Sequence, residues 1–297
     1  MQNRDAFAAY HPLVNFLYFG AVIGFTMVFL HPVCLGISLV CAVLYHRRLY
    51  MGQWFRFFAA ALPLLVLTAL LNPMFNHQGT VILAYLPGGN PLTLESMLYG
   101  IAAAVMLITV LLWFRCYTAV MTSDKFVYLF GRFLPSLSLL LSMTLRFVPK
   151  FRRQLARVRE AQVLAGRDPA AGSKVQRLRN ATSCFSATVT WALESAAETA
   201  DSMKSRGYGL KGRTAFSIYR FTDRDKTALF CLLIAVVGLV ACAAAGGMYW
   251  RYFPNIRGQL AAPFTVFFQI MYFCMCGMPL VIDREEERRW ILSRSKI

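Results

Sequence analysis

The sequence predicts an all-α fold, a polytopic membrane helical bundle of about six spanning helices with long helices held on the cytoplasmic side. Three observations predict it. Of 297 residues, 58% are hydrophobic and 15% charged, which is too apolar for an ordinary soluble domain. Six stretches carry no Asp, Glu, Lys, Arg or His: 13–30, 33–45, 57–75, 97–114, 227–249 and 260–282. Most reach the ~17–25 residues that a spanning helix needs. The net charge of +17 is also distributed unevenly. With six spans and the N-terminus inside, twenty Lys and Arg fall in 115–226, whereas the outer loops hold only Arg251 and Arg257. That is the positive-inside pattern with both termini cytoplasmic.

The first stretch, 13–30, is expected as a retained helix, since no charged n-region and cleavage site accompany it. His31-Pro32 should break it from 33–45, which is short for a span and extends into its flanks or tilts in a hairpin. The next two stretches complete a membrane segment over 1–122. A middle region, 123–226, follows, and 227–297 should return two helices and a cytoplasmic tail.

Within the middle region, Phe126–Val148 is apolar but interrupted by Arg132, Pro135 and Arg146, two cations that would be costly at mid-bilayer. Helices lying at the cytoplasmic interface or packed under the bundle fit better than a seventh span, which would place the sixteen Lys and Arg of 150–226 outside. After Pro149, residues 150–166 show helical periodicity, with Phe151, Leu155, Val158 and Gln162 on one face. Gly166 and Asp168-Pro169 should stop this helix, and a second should begin near Lys174 or after Asn180. Toward its end Ala192, Ala196, Ala200 and Met203 recur at helical spacing beside Glu194, Glu198, Asp201 and Ser205. Small residues there permit close helix crossing. A fixed, tightly packed pair and a pair that slides are both compatible with that spacing.

The chemistry expected is narrow. The charge excess follows topology, and no DNA or RNA motif accompanies it, so nucleic acid is not an expected partner. His11, His31, His46 and His77 lack metal-ligand spacing, the eight cysteines contain no C-x-x-C, and no cofactor or metal is expected. Gly209–Thr214 is too short for a phosphate-cradling loop. The six stretches hold no ionisable group of the kind that serves coupled transport, so uphill work would need another subunit. The segment Asp201-Ser-Met-Lys-Ser-Arg206-Gly207-Tyr208-Gly209 ends the alanine-rich helix with an arginine, whose rigid fork of donors suits a soluble partner.

The order of these pieces carries a resemblance. Leu-Arg-Phe-Val-Pro149, Arg-Glu-Ala161-Gln162 before a glycine break, Ala200-x-x-Met203-x-x-Arg206-Gly207-Tyr208-Gly209 and Arg213-Thr214 together resemble the transmembrane T component of energy-coupling factor transporters, the EcfT/CbiQ family. The tail Arg-Trp290-Ile-Leu-Ser-Arg-Ser-Lys-Ile297 is similar to that of some members.

The resemblance implies a non-catalytic plasma-membrane scaffold of an ECF-type ABC importer. Two ABC-type ATPase subunits and a small membrane S component for a vitamin or metal ion would be its partners within the lipid bilayer. Long coupling helices would each end in an arginine motif that enters a groove on one ATPase. Ser205, Arg206 and Gly207 match the second motif. The first departs from it: Ala165 stands where an arginine is usual, before Gly166. Arg167 either takes over that role or is a solvated turn residue paired with Asp168. Ala192, Ala196, Ala200 and Met203 would pack the coupling helices. Readings from other classes are a membrane enzyme acting on a phosphorylated or lipid substrate, and the permease subunit of another ABC importer. The enzyme lacks a paired carboxylate, a nucleophile with its base, or a metal cluster.

Overall fold

The computed structural model describes residues 5–50, 52, 54–85, 91–131, 135–168, 170–208, 210, 219–260 and 262–294. It divides into two compact units, one of 1–122 with 219–297 and the other of 123–218.

Among the described residues the first unit is a bundle of six α-helices: α1 (Pro12–Val28), α2 (Pro32–Leu49), α3 (Trp54–Phe75), α4 (Leu94–Val120), α8 (Asp223–Ala244) and α9 (Pro263–Arg294). Two antiparallel strand pairs lie in its connections, β1 (Ile82–Tyr85) with β2 (Pro91–Thr93) and β3 (Trp250–Arg251) with β4 (Arg257–Gly258). Four helices, α2, α4, α8 and α9, are long and apolar enough to cross a membrane, and Pro12–Val28 and Ala59–Phe75 are shorter apolar helices. The chain is thus a membrane helical bundle. Prolines at the first position of α1 and α2 start both helices, where a missing N–H costs nothing. The 33–45 stretch reaches spanning length because α2 continues through His46, Arg47 and Arg48 in its last turn. Cations are favoured there by the exposed carbonyls of a helix C-terminus.

Aromatic burial holds this bundle. Phe7, Tyr18, Phe19, Tyr45, Trp113 and Tyr272 are all essentially inaccessible. Trp113 lies within 6.3 Å of both Tyr18 and Phe19, ring centre to ring centre. Several polar groups within this core are paired with one another. Trp113 Nε1 donates to Ser38 Oγ at 3.0 Å, Ser38 Oγ lies 2.9 Å from Thr26 Oγ1, and Thr26 Oγ1 lies 3.0 Å from Tyr272 Oη. Tyr18 Oη donates to the Cys276 carbonyl at 3.0 Å. Inside a bundle such hydroxyl chains join helices that hydrophobicity alone cannot sort.

The bundle's ends are fastened by buried carboxylates, Asp283, Asp225 and Glu95. The turn Phe7–Ala9 is pinned where Ala6 and Phe7 N–H donate to Asp283 Oδ1. Asp225 accepts from His11 N–H at 2.8 Å and from the N–H and hydroxyl of Thr222. Glu95 accepts from Thr80 N–H, Thr80 Oγ1 and Val81 N–H, and the same Thr80 hydroxyl also lies against the Asn255 side-chain amide.

The second unit is formed by α5 (Ser123–Gly131), α6 (Pro135–Leu164) and α7 (Lys174–Ser205). Contacts between Lys150 and Ser195, Phe151 and Trp191, and Asp168 and Asn180 show that α6 and α7 run antiparallel. Two expectations are corrected here. Pro149 does not begin a helix; α6 starts at Pro135 and runs through it. An internal proline removes a single N–H, and the surrounding ladder carries the helix on. The side of α6 turned inward is also displaced by a fraction of a turn. Met143, Phe147, Gln154, Val158 and Gln162 are half-buried, whereas Phe151 and Leu155 are exposed.

Candidate functional site

The arginine motifs lie at two helix ends that share one backbone geometry. At the end of α7, Gly207 N–H donates to the Lys204 carbonyl at 3.0 Å and Tyr208 N–H to the Met203 carbonyl at 3.0 Å. At the end of α6, Gly166 N–H donates to the Val163 carbonyl at 3.0 Å and Arg167 N–H to the Gln162 carbonyl at 2.9 Å. Both are Schellman closures, with the glycine left-handed: φ is +75° at Gly207 and +78° at Gly166. A residue with a Cβ is strained in that conformation, which is why a glycine stands at each end.

The arginines occupy different positions in this shared frame. Arg206 is the capping residue immediately before the left-handed glycine, at φ −85° and ψ 11°. Arg167 comes immediately after its glycine, and Ala165 holds the capping place. Arg206 and Arg167 are both exposed, and neither makes an ion pair among the described residues. Ser205 Oγ turns inward to the Ser202 carbonyl at 2.9 Å. Asp168 does not pair with Arg167. Its Oδ1 accepts from Ala170 N–H at 2.8 Å and its carbonyl from Asn180 Nδ2 at 3.1 Å, so it shapes the turn into α7. Ser173 then caps that helix by accepting from Gln176 N–H. Gly209, Arg213, Thr214, Arg132, Pro169 and 295–297 lie outside the described residues.

The two ends are far apart. An α7 of 32 residues spans ~48 Å at ~1.5 Å per residue, with the Gly166-Arg167-Asp168 turn just before its start and Arg206 at its finish. One compact groove cannot take both arginines. The small-residue set divides as well: Ala192 and Met203 are half-buried, and Ala196 and Ala200 are exposed. The side of α7 facing α6 carries Cys184, Thr188, Trp191, Ser195 and Thr199 instead, with Trp191 edge-on to Phe151 at 5.9 Å. Lys150 Nζ sits 5.0 Å from the Trp191 ring centre and donates to Ser195 Oγ at 2.9 Å.

Residues 11–216 match the family model described as cobalt transport protein, CbiQ. Among curated proteins the chain is 35% identical over 112 residues to the energy-coupling factor transporter transmembrane protein EcfT of Exiguobacterium sibiricum, covering 37% of this chain and 42% of that protein. It is 25% identical over 190 residues to EcfT 1 of Listeria monocytogenes, covering 60% and 70%. It is 31% identical over 116 residues to EcfT of Brevibacillus brevis, covering 39% and 41%. The matched region thus spans less than half the length of two of these three relatives.

Proposed function

The chain belongs to the cobalt transport protein family, CbiQ, and from that premise we propose that it is the transmembrane T component of an energy-coupling factor importer. It has no catalytic centre of its own. In this reading two partner ATPases grip the ends of α6 and α7, and their closure on ATP shifts the hairpin. The movement passes to a small membrane S component, which releases a vitamin or metal ion inside. The observation that carries the reading is the pairing of two exposed helix ends with one closure geometry, each offering an arginine, ~48 Å apart. That separation suits two like grooves on two like subunits better than one site. The basic balance of 115–226 supports a cytoplasmic location for the hairpin.

Arg206 is the better fitted of the two anchors. It sits at the cap itself, and a guanidinium fork at such a helix end suits an acidic groove on a partner. Arg167 serves the first ATPase from two positions further along, with a different approach. Co-purification tests the assignment: the wild-type chain should bring two ATPases and an S protein. Arg206→Ala should weaken ATPase association by ~2–5 kcal/mol, because an acidic partner group is left unpaired, while the bundle stays folded. Arg206→Lys should also be impaired, since a point charge lacks the fork. Undiminished ATPase capture by Arg206→Ala would refute the docking role.

A further inference from the structure

Within the bundle, residues 5–11 form a strap that ties the start of α1 to α9 through Asp283 and to α8 where His11 N–H donates to Asp225. Phe7 anchors its middle, fully enclosed with its ring centre 5.0 Å from that of Tyr18 and 6.2 Å from that of Phe19. Two carboxyl groups meet at the head of the strap. Asp283 is buried and stands one residue past the charge-free stretch 260–282, and Asp5, on the strap, is half-buried. Their side chains lie within hydrogen-bond reach of each other. One N–H, that of Phe7, is shared between Asp5 Oδ1 at 3.2 Å and Asp283 Oδ1 at 3.3 Å. Asp283 Oδ1 also accepts from Ala6 N–H at 2.9 Å, and Asp5 Oδ2 from the hydroxyl of the enclosed Tyr45 at 2.6 Å. Neither carboxyl group makes an ion pair among the described residues. Arg48 on α2 reaches Asp283 with its field, yet its fork is taken by Glu287, one turn further along α9. The other groups facing the pair, the Tyr45 phenol on α2 and the Cys116 thiol on α4, bring no cation. Arg224, on α8 at the foot of the strap, is paired with Glu286 at 3.7 Å.

We propose that Asp5 and Asp283 hold one proton between them, and that this proton makes the strap a pH-dependent latch on the bundle. Two carboxylates in contact with no cation between them repel too strongly for both to stay ionised, so the pair keeps one O–H and one anion. The O–H donates across the pair, and the remaining oxygen lone pairs answer Ala6, Phe7 and Tyr45. When the head of the strap lifts, both groups enter water and ionise in the ordinary carboxylate range, about 4, with the proton passing to solvent. Above that range the closed strap therefore holds one proton more than the open one. The direction follows from the count: the hold is complete below the ordinary carboxylate range and weakens as pH rises, by up to ~tenfold per pH unit, until the closed pair also loses its proton. At the foot, Asp225 meets only donors, from His11 and Thr222, so that end needs no proton and serves as the fixed end of the strap. The latch lets pH at this end of the bundle set how firmly the start of α1 is tied to α9. The inference concerns the bundle alone and does not require the transport role.

The test uses the full chain in nanodiscs and follows amide hydrogen exchange over 5–11 by mass spectrometry from about pH 5 to about pH 9, a range above the ordinary carboxylate values. Each rate is divided by the intrinsic exchange rate at that pH, which leaves the protection due to structure. In the wild type, protection over 5–11 should fall by at least ~tenfold across the range, while protection around Trp113 in α4 stays constant. Asp283→Asn should keep the strap protected at every pH, because its side-chain oxygen still accepts from Ala6 and Phe7 and its NH2 supplies the donor that the proton supplied. Asp5→Asn should do the same from the other side, so a folding defect in one variant leaves the other to decide. Wild-type protection over 5–11 that does not change with pH overturns the proposal, and so does a fall of wild-type size in both variants. A fall that includes α4 overturns it as well, since the whole bundle would then be opening. ATPase capture through Arg206 is read separately, so either idea can fail alone.

Discussion

Trp113 and Trp191 are the same residue in two units that are stabilised differently. Trp113 is fully enclosed, lies against Tyr18 and Phe19, and spends its N–H on Ser38. Trp191 is half-buried between Phe151 and Lys150, on a helix where Val175, Leu178, Phe185 and Leu193 stay exposed. The bundle closes a core from its own side chains. The hairpin closes a seam and leaves surface for something else. That division would suit the coupling role proposed above, since a region with few buried apolar contacts opens more readily than an enclosed core.

The largest effect that would test the division is Trp113→Ala. Removing a fully buried tryptophan should cost ~3–5 kcal/mol, from lost transfer energy plus the cavity. Ser38 would also lose a donor. The buried thiols Cys34, Cys41, Cys116 and Cys276 supply the measurement, since a maleimide dye reacts with them only as the bundle opens. The variant should melt far below wild type. If it melts with wild type, the aromatic core is not what holds the first unit.

How much of this was legible in the sequence follows from the same contrast. Hydropathy marks the bundle's helices because lipid imposes a length and forbids charge over it, so the six charge-free stretches all fall within or largely within α1–α4, α8 and α9. The N-terminal turn is not legible: Phe7 N–H meets Asp283 across 276 residues, and nothing local to either announces the other. Asp225 could have been found, since Thr222-x-x-Asp225 before an apolar run is a helix-start signal. On the hairpin, the Gly166 and Gly207 stops were readable because a left-handed residue demands glycine. Which side of α6 and α7 faces inward was less so. Both helices carry apolar residues on more than one side, and periodicity cannot say which stripe the chain covers itself. Leu155 and the alanines at 196 and 200 lie on stripes that the unit leaves exposed.

A smaller effect sharpens the comparison at the hairpin's ends. Gly207→Ala forces a Cβ into a left-handed position, costing ~1–2 kcal/mol, and that Cβ would lie 2.9 Å from Leu210 Cδ1. Gly166→Ala meets nothing within 4 Å, so it carries the backbone cost without the crowding. Each should fray only its own helix end, seen as faster amide exchange at Tyr208 or Arg167, with the thiol-dye melt of the bundle unmoved. Gly207→Ala should also weaken ATPase capture, since it releases the cap that aims Arg206. Slowed melting or a shifted bundle transition in either variant would mean that the two units are not independently stabilised.

The smallest effect belongs to the bundle's surface. Arg48 at the end of α2 forks onto Glu287 of α9, with Nη1 and Nη2 at 2.6 and 2.8 Å from the two carboxylate oxygens. The geometry is the strongest an exposed pair can adopt, yet both side chains keep much of their hydration, at 35% and 52% exposure. Water competes for each charge, and holding two long side chains in register costs rotamer freedom. Arg48→Gln should therefore cost ~0.2–1 kcal/mol and shift the melt by little, with the difference shrinking further in high salt. α2 and α9 also meet through Ser38, Thr26 and Tyr272 of the buried hydroxyl chain, which the substitution leaves intact. A loss as large as that of Trp113→Ala would show that the ion pair, rather than the enclosed aromatics, fastens these two helices.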